Sequence, residues 1–194
     1  RSIFVAMMGS EDYLDAHERL TKLRLKKGQQ PEVVRVLLEC CGQEGVFNRF
    51  YALLAARLCE SHREIKFTLH YAFWDEFKAL PQLTLHRAAN TARLLAVLII
   101  KQALPLSVLK VVRWHSMSQR LLFFWQVFFV ETLSQPRELF AKALHPLQEP
   151  EYSELRDGIL LFSARHLKQL IATKHTALKQ PLRLFDKLLA ADGS

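Results

Sequence analysis

The chain has 194 residues, half of them apolar, with only six glycines and seven prolines; it is long enough to fill a core and too rich in Leu and Phe to be disordered or fibrous. Its formal charge of +8 is unevenly placed: residues 1–80 hold twelve basic and eleven acidic side chains, residues 81–194 hold fifteen and eight, and no acidic residue lies between Glu76 and Glu131. Such a bias supports an RNA or acidic-protein partner, and solubility charge alone would look the same.

The chain opens RSIFVAMMGSEDY, with neither a starting Met nor a basic-then-apolar leader, and reads as a piece of a longer protein. Ser2–Met8 forms a short apolar helix ended by Gly9. Ser10 is placed to cap a second helix over 11–26, whose stripe is Tyr13, Ala16, Leu20 and Leu23, with Lys26–Gly28 as its stop. Glu18 and Lys22 form an i,i+4 pair. Pro31 opens a third helix lined by Val33, Leu37, Cys40 and Cys41 and ended near Gly42 and Gly45. A fourth covers 47–60 through Leu54 and Leu58. A fifth covers 62–79, with Ile65, Leu69 and Phe73 on one row and His70, Trp74 and Phe77 on another. Thr84 caps a sixth over 85–102, where Ala88, Ala89, Ala92 and Ala96 admit close approach of another helix.

Pro105 then opens a short helix through Val112, and Ser116 or Ser118 caps a long apolar helix over 119–132. Its densest run, Leu121–Val130, is ten residues long and interrupted by Gln126. A bilayer crossing takes about 20 apolar residues, so a buried helix is predicted and no membrane partner. Pro136 starts a helix ending near Leu144, residues 145–150 form a hinge, and helices over 152–173 and 177–190 follow. Strand signals are nearly absent. Short amphipathic helices in series bury their stripes only by stacking in antiparallel pairs, so an α-solenoid or irregular bundle is predicted.

Motifs for chemistry are missing. There is no G-x-S-x-G elbow, no H-E-x-x-H helix and no glycine-rich phosphate loop, so neither an enzyme nor a cofactor is expected. Cys40, Cys41, Cys59 and His62 are the best metal set, yet the neighbouring cysteines diverge around a helix and free Cys is usually a small buried hydrophobe. Cys59 with His62 would make a nucleophile and base, but nothing nearby orients the His. The odd cysteine count suits a reducing compartment, cytosol or nucleus. Glu11, Asp12 and Asp15 sit where a helix N-terminus favours carboxylates, and a partner's Arg or Lys is the alternative reading. Trp114 in VVRWHSMSQR either packs in the core or stacks a base beside Lys110, Arg113 and Arg120.

SEDYLDAHERLTKLRL (10–25), EVVRVLLECCGQEGVFNRFYALLAARLC (32–59) and ALPLSVLKVV (103–112) resemble the MA-3 domain. They are most similar to the version in nucleolar proteins that pair it with a domain like the middle part of initiation factor 4G; a splicing factor of the same layout is a near relative. QPRELFAKAL (135–144) and ELRDGILLFSARHL (154–167) resemble the extension of the nucleolar version. The resemblance implies an all-α fold, antiparallel helical hairpins stacked as a short HEAT-like α-solenoid over 1–133, with a C-terminal helical extension over 134–194. It implies a non-catalytic scaffold in the nucleus and nucleolus that assists a DEAD-box RNA helicase of the initiation-factor 4A type in ribosomal RNA processing and small-subunit biogenesis. The partners implied are that helicase, the companion domain, and ribosomal RNA or pre-ribosomal proteins; a splicing adaptor is the alternative. The family's protein-binding positions map onto Glu11, Asp12, Asp15, Gln43, Glu44 and Asn48. Its later acidic loop maps onto ETLSQP (131–136), which holds only Glu131. RNA docking, as the other alternative, falls to Lys110, Arg113, Trp114 and Arg120.

Overall fold

The computed structural model describes residues 1–26 and 28–190; Lys27, in the expected Lys26–Gly28 stop, and 191–194, in the expected extension, lie outside the described residues. The helices are α1 (Ser2–Met8), α2 (Tyr13–Lys22), α3 (Gln30–Gln43), α4 (Arg49–Ser61), α5 (Arg63–Ala79), α6 (Leu85–Ile100), α7 (Gln119–Leu133), α8 (Arg137–Leu144), α9 (Ser153–Phe162), α10 (Lys168–Lys174) and α11 (Lys179–Ala190). No strand occurs among the described residues.

Local chemistry sets most of these starts. Asn48, Thr84 and Ser118 each accept a hydrogen bond from a backbone N–H of the first turn that follows, and Pro31 sits in the first turn of α3, where its missing N–H costs nothing. The second helix is shorter than its stripe predicts. Asp12, rather than Ser10, caps it by accepting from the Asp15 N–H at 2.8 Å, while the Ser10 hydroxyl donates back to the Met7 carbonyl at 2.6 Å. At the other end the chain leaves the helix at Leu23 and turns through Arg24 at φ 46°, four residues before Gly28.

The first six helices stack in two layers, α1 on α3 on α5 and α2 on α4 on α6, as antiparallel HEAT-like hairpins. Each helix supplies a Leu, Val or Ala stripe: Ala16 and Leu20, then Val33 and Leu37, then Leu54 and Leu58, then Ile65, Leu69 and Phe73, all buried. α6 is the centre of the molecule. Ala88, Ala92 and Ala96 are fully buried, and the small side chains let α6 lie against α3, α4 and α7 at once.

α7 carries an aromatic lattice across to the C-terminal helices. Trp125 meets Phe77 and Trp114 at ring distances of 5.2 and 5.0 Å, and Phe129 meets Phe162 and Phe185 at 5.5 and 5.7 Å. The hydrophobic core therefore runs unbroken past residue 133 into α8, α9 and α11. Residues 145–150 form a packed corner of two 3-10 turns rather than a hinge: Leu147 is fully buried and the Gln148 amide donates to the Leu188 carbonyl. A π-helical turn, Ser163–Leu167, joins α9 to α10 in one rod. Gln126, the polar interruption in the apolar run of α7, donates to the His166 carbonyl within that turn at 3.1 Å.

Candidate interaction surfaces

The acidic set divides into two segments, and both hold their own backbone. Asp12 caps α2. The Asp15 carboxylate accepts from the Glu11 N–H at 3.0 Å and pairs with Arg19 at 3.1 Å; the hydrogen bond from Glu11, with Arg19 next, holds its carboxyl below the usual carboxylate range. The exposed Glu11 carboxylate makes no ion pair or hydrogen bond among the described residues. In the α3–α4 loop, Glu44 accepts from the Tyr51 hydroxyl at 2.9 Å and from the Asn48 amide at 3.4 Å. Burial first, and then that bond to Glu44, push the Tyr51 phenol well above its ordinary pKa. The buried Asn90 amide of α6 donates to the Cys41 and Glu44 carbonyls at 3.1 and 2.9 Å, fixing the loop from below. Gln43 ends α3 with its side chain exposed.

No hydrogen bond or ion pair among the described residues joins the two acidic segments; Tyr51 connects the loop only as far as Met8, whose sulfur lies 3.5 Å from its hydroxyl. Two exposed apolar residues accompany them: Leu14, 51% exposed, between Asp12 and Asp15, and Val46, 84% exposed, at the tip of the loop between Glu44 and Asn48. Residue-type reasoning passed over both. Their signal was available, since Leu14 lies off the Ala16–Leu20 stripe and Val46 is an apolar residue in a polar loop. In the 131–136 region, burial holds the carboxyl of Glu131, at the end of α7, above the usual carboxylate range, opposed first by Arg93 and then by Arg49.

The basic set is rearranged by the fold. Trp114 is 7% exposed and packs against Trp125, Phe129 and Phe162 at ring distances of 5.0, 5.8 and 5.7 Å. A Cβ added at Gly158 would stand 2.5 Å from its Cδ1, so the glycine within α9 is the floor on which the indole lies. Trp114 is a core residue whose indole is packed against aromatic rings, which corrects its place as a base-stacking residue in the RNA-docking set. Arg120 is half-buried, with one guanidinium nitrogen sealed from solvent and lacking a partner. Lys110 places its ammonium 4.3 Å above the Tyr152 ring, a cation–π contact. Of this set, Arg113 is exposed and forms no ion pair among the described residues. Lys110, Arg113 and His115 line a cleft of about 530 Å³ whose other lining residues include Glu151, Glu154 and Asp157, so the basic segment faces carboxylates.

Cys41 and Cys59 are buried in the helical core and Cys40 is half-buried. Burial pushes the Cys41 thiol up to about 12 and the Cys59 thiol up to about 11, so both stay protonated and unreactive at neutral pH. His62 hydrogen-bonds the neighbouring Ser61 hydroxyl at 3.2 Å. Among the described residues no group of three or more His, Cys, Asp or Glu side chains is placed to hold a metal ion, and no helix is long and apolar enough to cross a membrane.

Residues 1–105 match the model of the MA3 domain. The chain is 36% identical over 185 residues to the mouse nucleolar MIF4G domain-containing protein 1, covering 93% of this chain and 21% of that protein. It is 39% identical over 140 residues to the suppressor of glycerol defect protein 1 of Schizosaccharomyces pombe, covering 68% of this chain and 18% of that one. It is 29% identical over 113 residues to the zebrafish homolog of pre-mRNA-splicing factor CWC22, covering 58% and 12%. The chain thus spans about a fifth of the length of the first two relatives.

Proposed function

The chain belongs to the MA3 domain family, a non-catalytic protein-interaction fold, and from that premise we propose that it is the docking scaffold of a nucleolar protein. In this reading it assists a DEAD-box RNA helicase of the initiation-factor 4A type in ribosomal RNA processing and small-subunit biogenesis, within the nucleolus and beside a companion domain like the middle part of initiation factor 4G. The observation that carries the nucleolar branch over the splicing branch is coverage. Alignment to the mouse nucleolar relative takes in 93% of the chain and so includes the C-terminal extension, whereas alignment to the splicing homolog takes in 58%.

The surface assigned to the helicase is the acidic one: Glu11, Asp12, Asp15, Gln43, Glu44 and Asn48. Because Asn90 and Tyr51 hold the α3–α4 loop from inside, Val46 is presented on a rigid support, and little ordering entropy opposes docking. Glu11 supplies a carboxylate that no described residue occupies, available to a partner's Arg or Lys. Calorimetry of the purified chain with such a helicase tests the reading. Binding weakened by Val46→Asp and by Glu11→Lys is expected; no binding, alone or together with the companion domain, rejects it.

RNA docking is the second reading, favoured by the acid-free stretch from Phe77 to Val130. With Trp114 packed inside, it falls to Lys110, Arg113 and Arg120 alone. Neutralising Arg113 and Arg120 together is then expected to weaken RNA binding and flatten its salt dependence; unchanged affinity counts against it.

A further inference from the structure

A second pocket lies on the other side of the 3-10 turn Leu106–Val111, between α5 and α7. It has a volume of about 330 Å³, and its walls are Trp74, Phe77, Val112, Met117, Leu121 and Trp125. Two exposed cations, Lys78 and Arg113, also line it, and no acidic residue does. Neither cation forms an ion pair among the described residues.

The walls are held in place without any occupant. The Trp74 indole N–H donates to the Val108 carbonyl at 3.0 Å, and Phe77 lies 5.7 Å from Phe124 and 5.2 Å from Trp125. The Trp125 indole N–H is buried and has no acceptor among the described residues. A pocket of this size is at the small end of those that take ligands, and its mostly apolar lining with a few polar groups is their usual pattern.

We propose that this pocket seats an apolar anchor, one aromatic or two aliphatic side chains, from an acidic segment of a partner protein, whose flanking carboxylates meet Lys78 and Arg113. Charge complementarity fixes the sign of the partner, since two unpaired cations at an acid-free mouth repel a basic segment and attract an acidic one. The lining decides the rest. A nucleobase placed here would bring several donors and acceptors on its edges into a pocket that offers them, apart from its cations, only the Ser116 hydroxyl and the Trp125 indole N–H, and each buried polar atom left unpaired is costly. A nucleic-acid strand continuing past Arg113 would also meet Glu151, Glu154 and Asp157 in the adjoining cleft. An apolar side chain has no edges to satisfy, and a short acidic segment need not continue into that cleft. This surface is separate from the residues assigned to the helicase, so its failure leaves that reading standing.

The test is fluorescence anisotropy of the whole chain with a short fluorescein-labelled peptide carrying Leu-Phe flanked by Asp and Glu. The comparison probes are the same peptide with Ser-Ser in place of Leu-Phe, and labelled oligouridine. Saturable binding is expected for the first peptide, with a shift in tryptophan emission because Trp74 and Trp125 line the pocket. The Ser-Ser peptide should bind at least about tenfold more weakly, as should the first peptide to the double variant Lys78→Glu, Arg113→Glu. Ser116→Trp, which fills the mouth from an exposed position, should weaken binding while leaving the melting curve unchanged. The proposal is overturned if the acidic peptide does not bind, if the Ser-Ser peptide binds equally well, or if the charge-reversed variant still binds it. It is equally overturned if oligouridine binds in a Lys78- and Arg113-dependent way while the peptide does not, which would give the pocket to RNA.

Discussion

The acidic front of the molecule and its basic middle differ in what their charged groups already hold. At the front, Asp12 caps a helix, Asp15 binds Glu11 and Arg19, and Glu44 binds Tyr51, so most of the carboxylates stiffen the surface that they form. In the middle, Lys78 and Arg113 have no such partners among the described residues, while Lys110 is occupied by Tyr152. The number of charges in a region therefore says little about how many are available to a partner. The front offers a rigid frame with Glu11, Leu14 and Val46 outermost; the middle offers free cations around an apolar hole.

The cores beneath the two regions differ as well, and variants can separate them. The largest effect is expected at Trp125, fully buried at the crossing of the aromatic lattice. Trp125→Ala should cost about 3–5 kcal/mol in urea unfolding and collapse the pocket of α5 and α7. A loss below about 1 kcal/mol would mean that the lattice is not what joins the middle to the C-terminal helices.

Asn90→Ala tests the front. It removes the donor shared by the Cys41 and Glu44 carbonyls and should cost about 1–3 kcal/mol. It should also weaken helicase docking through the loosened loop and leave binding at the middle pocket unchanged. An equal loss at both surfaces would break the distinction between them. Asp12→Ala, which deletes the cap of α2, should cost about 1 kcal/mol by thermal denaturation.

The smallest effect is a pH dependence carried by His17 of α2 and by His70 of α5, whose ring packs on Trp74. Burial lowers the pKa of His17 and of His70 below 6.5. The unfolded chain therefore takes up protons first, and stability present above that value is lost as pH falls through the folded-state pKa values. Melting temperature should decline on acidification from about pH 7 to about pH 5, and His70→Phe should flatten part of the decline. A melting temperature that rises over this interval would contradict the burial of both rings.

How much of this was legible in the sequence depends on the range of the interaction. The stripes Ile65, Leu69, Phe73 and Ala88, Ala92, Ala96, and the caps Thr84 and Ser118, come from contacts within a few residues, and they appear in the structure as the pattern implies. The competition between Ser10 and Asp12 for one cap was also local, but it was decided by the entry of the chain from α1. Trp114 shows the limit. Its neighbours in sequence are basic, so its surroundings read as a nucleic-acid surface, while its neighbours in space are Trp125, Phe129, Phe162 and the bare face of Gly158.

By itself, then, the sequence determined that the chain is helical, that its stripes must be sealed by stacking, and that its charge is divided front to back, because helical period, capping and charge count are properties of nearby residues. Only the tertiary structure decided which charges stay free, why a polar Gln126 and a bare Gly158 stand inside their helices, and that Trp74, Lys78, Arg113 and Trp125 surround one pocket. Those outcomes require segments far apart in the chain to meet, and a contact between distant segments is set by the packing of the whole core rather than by any local run of residues.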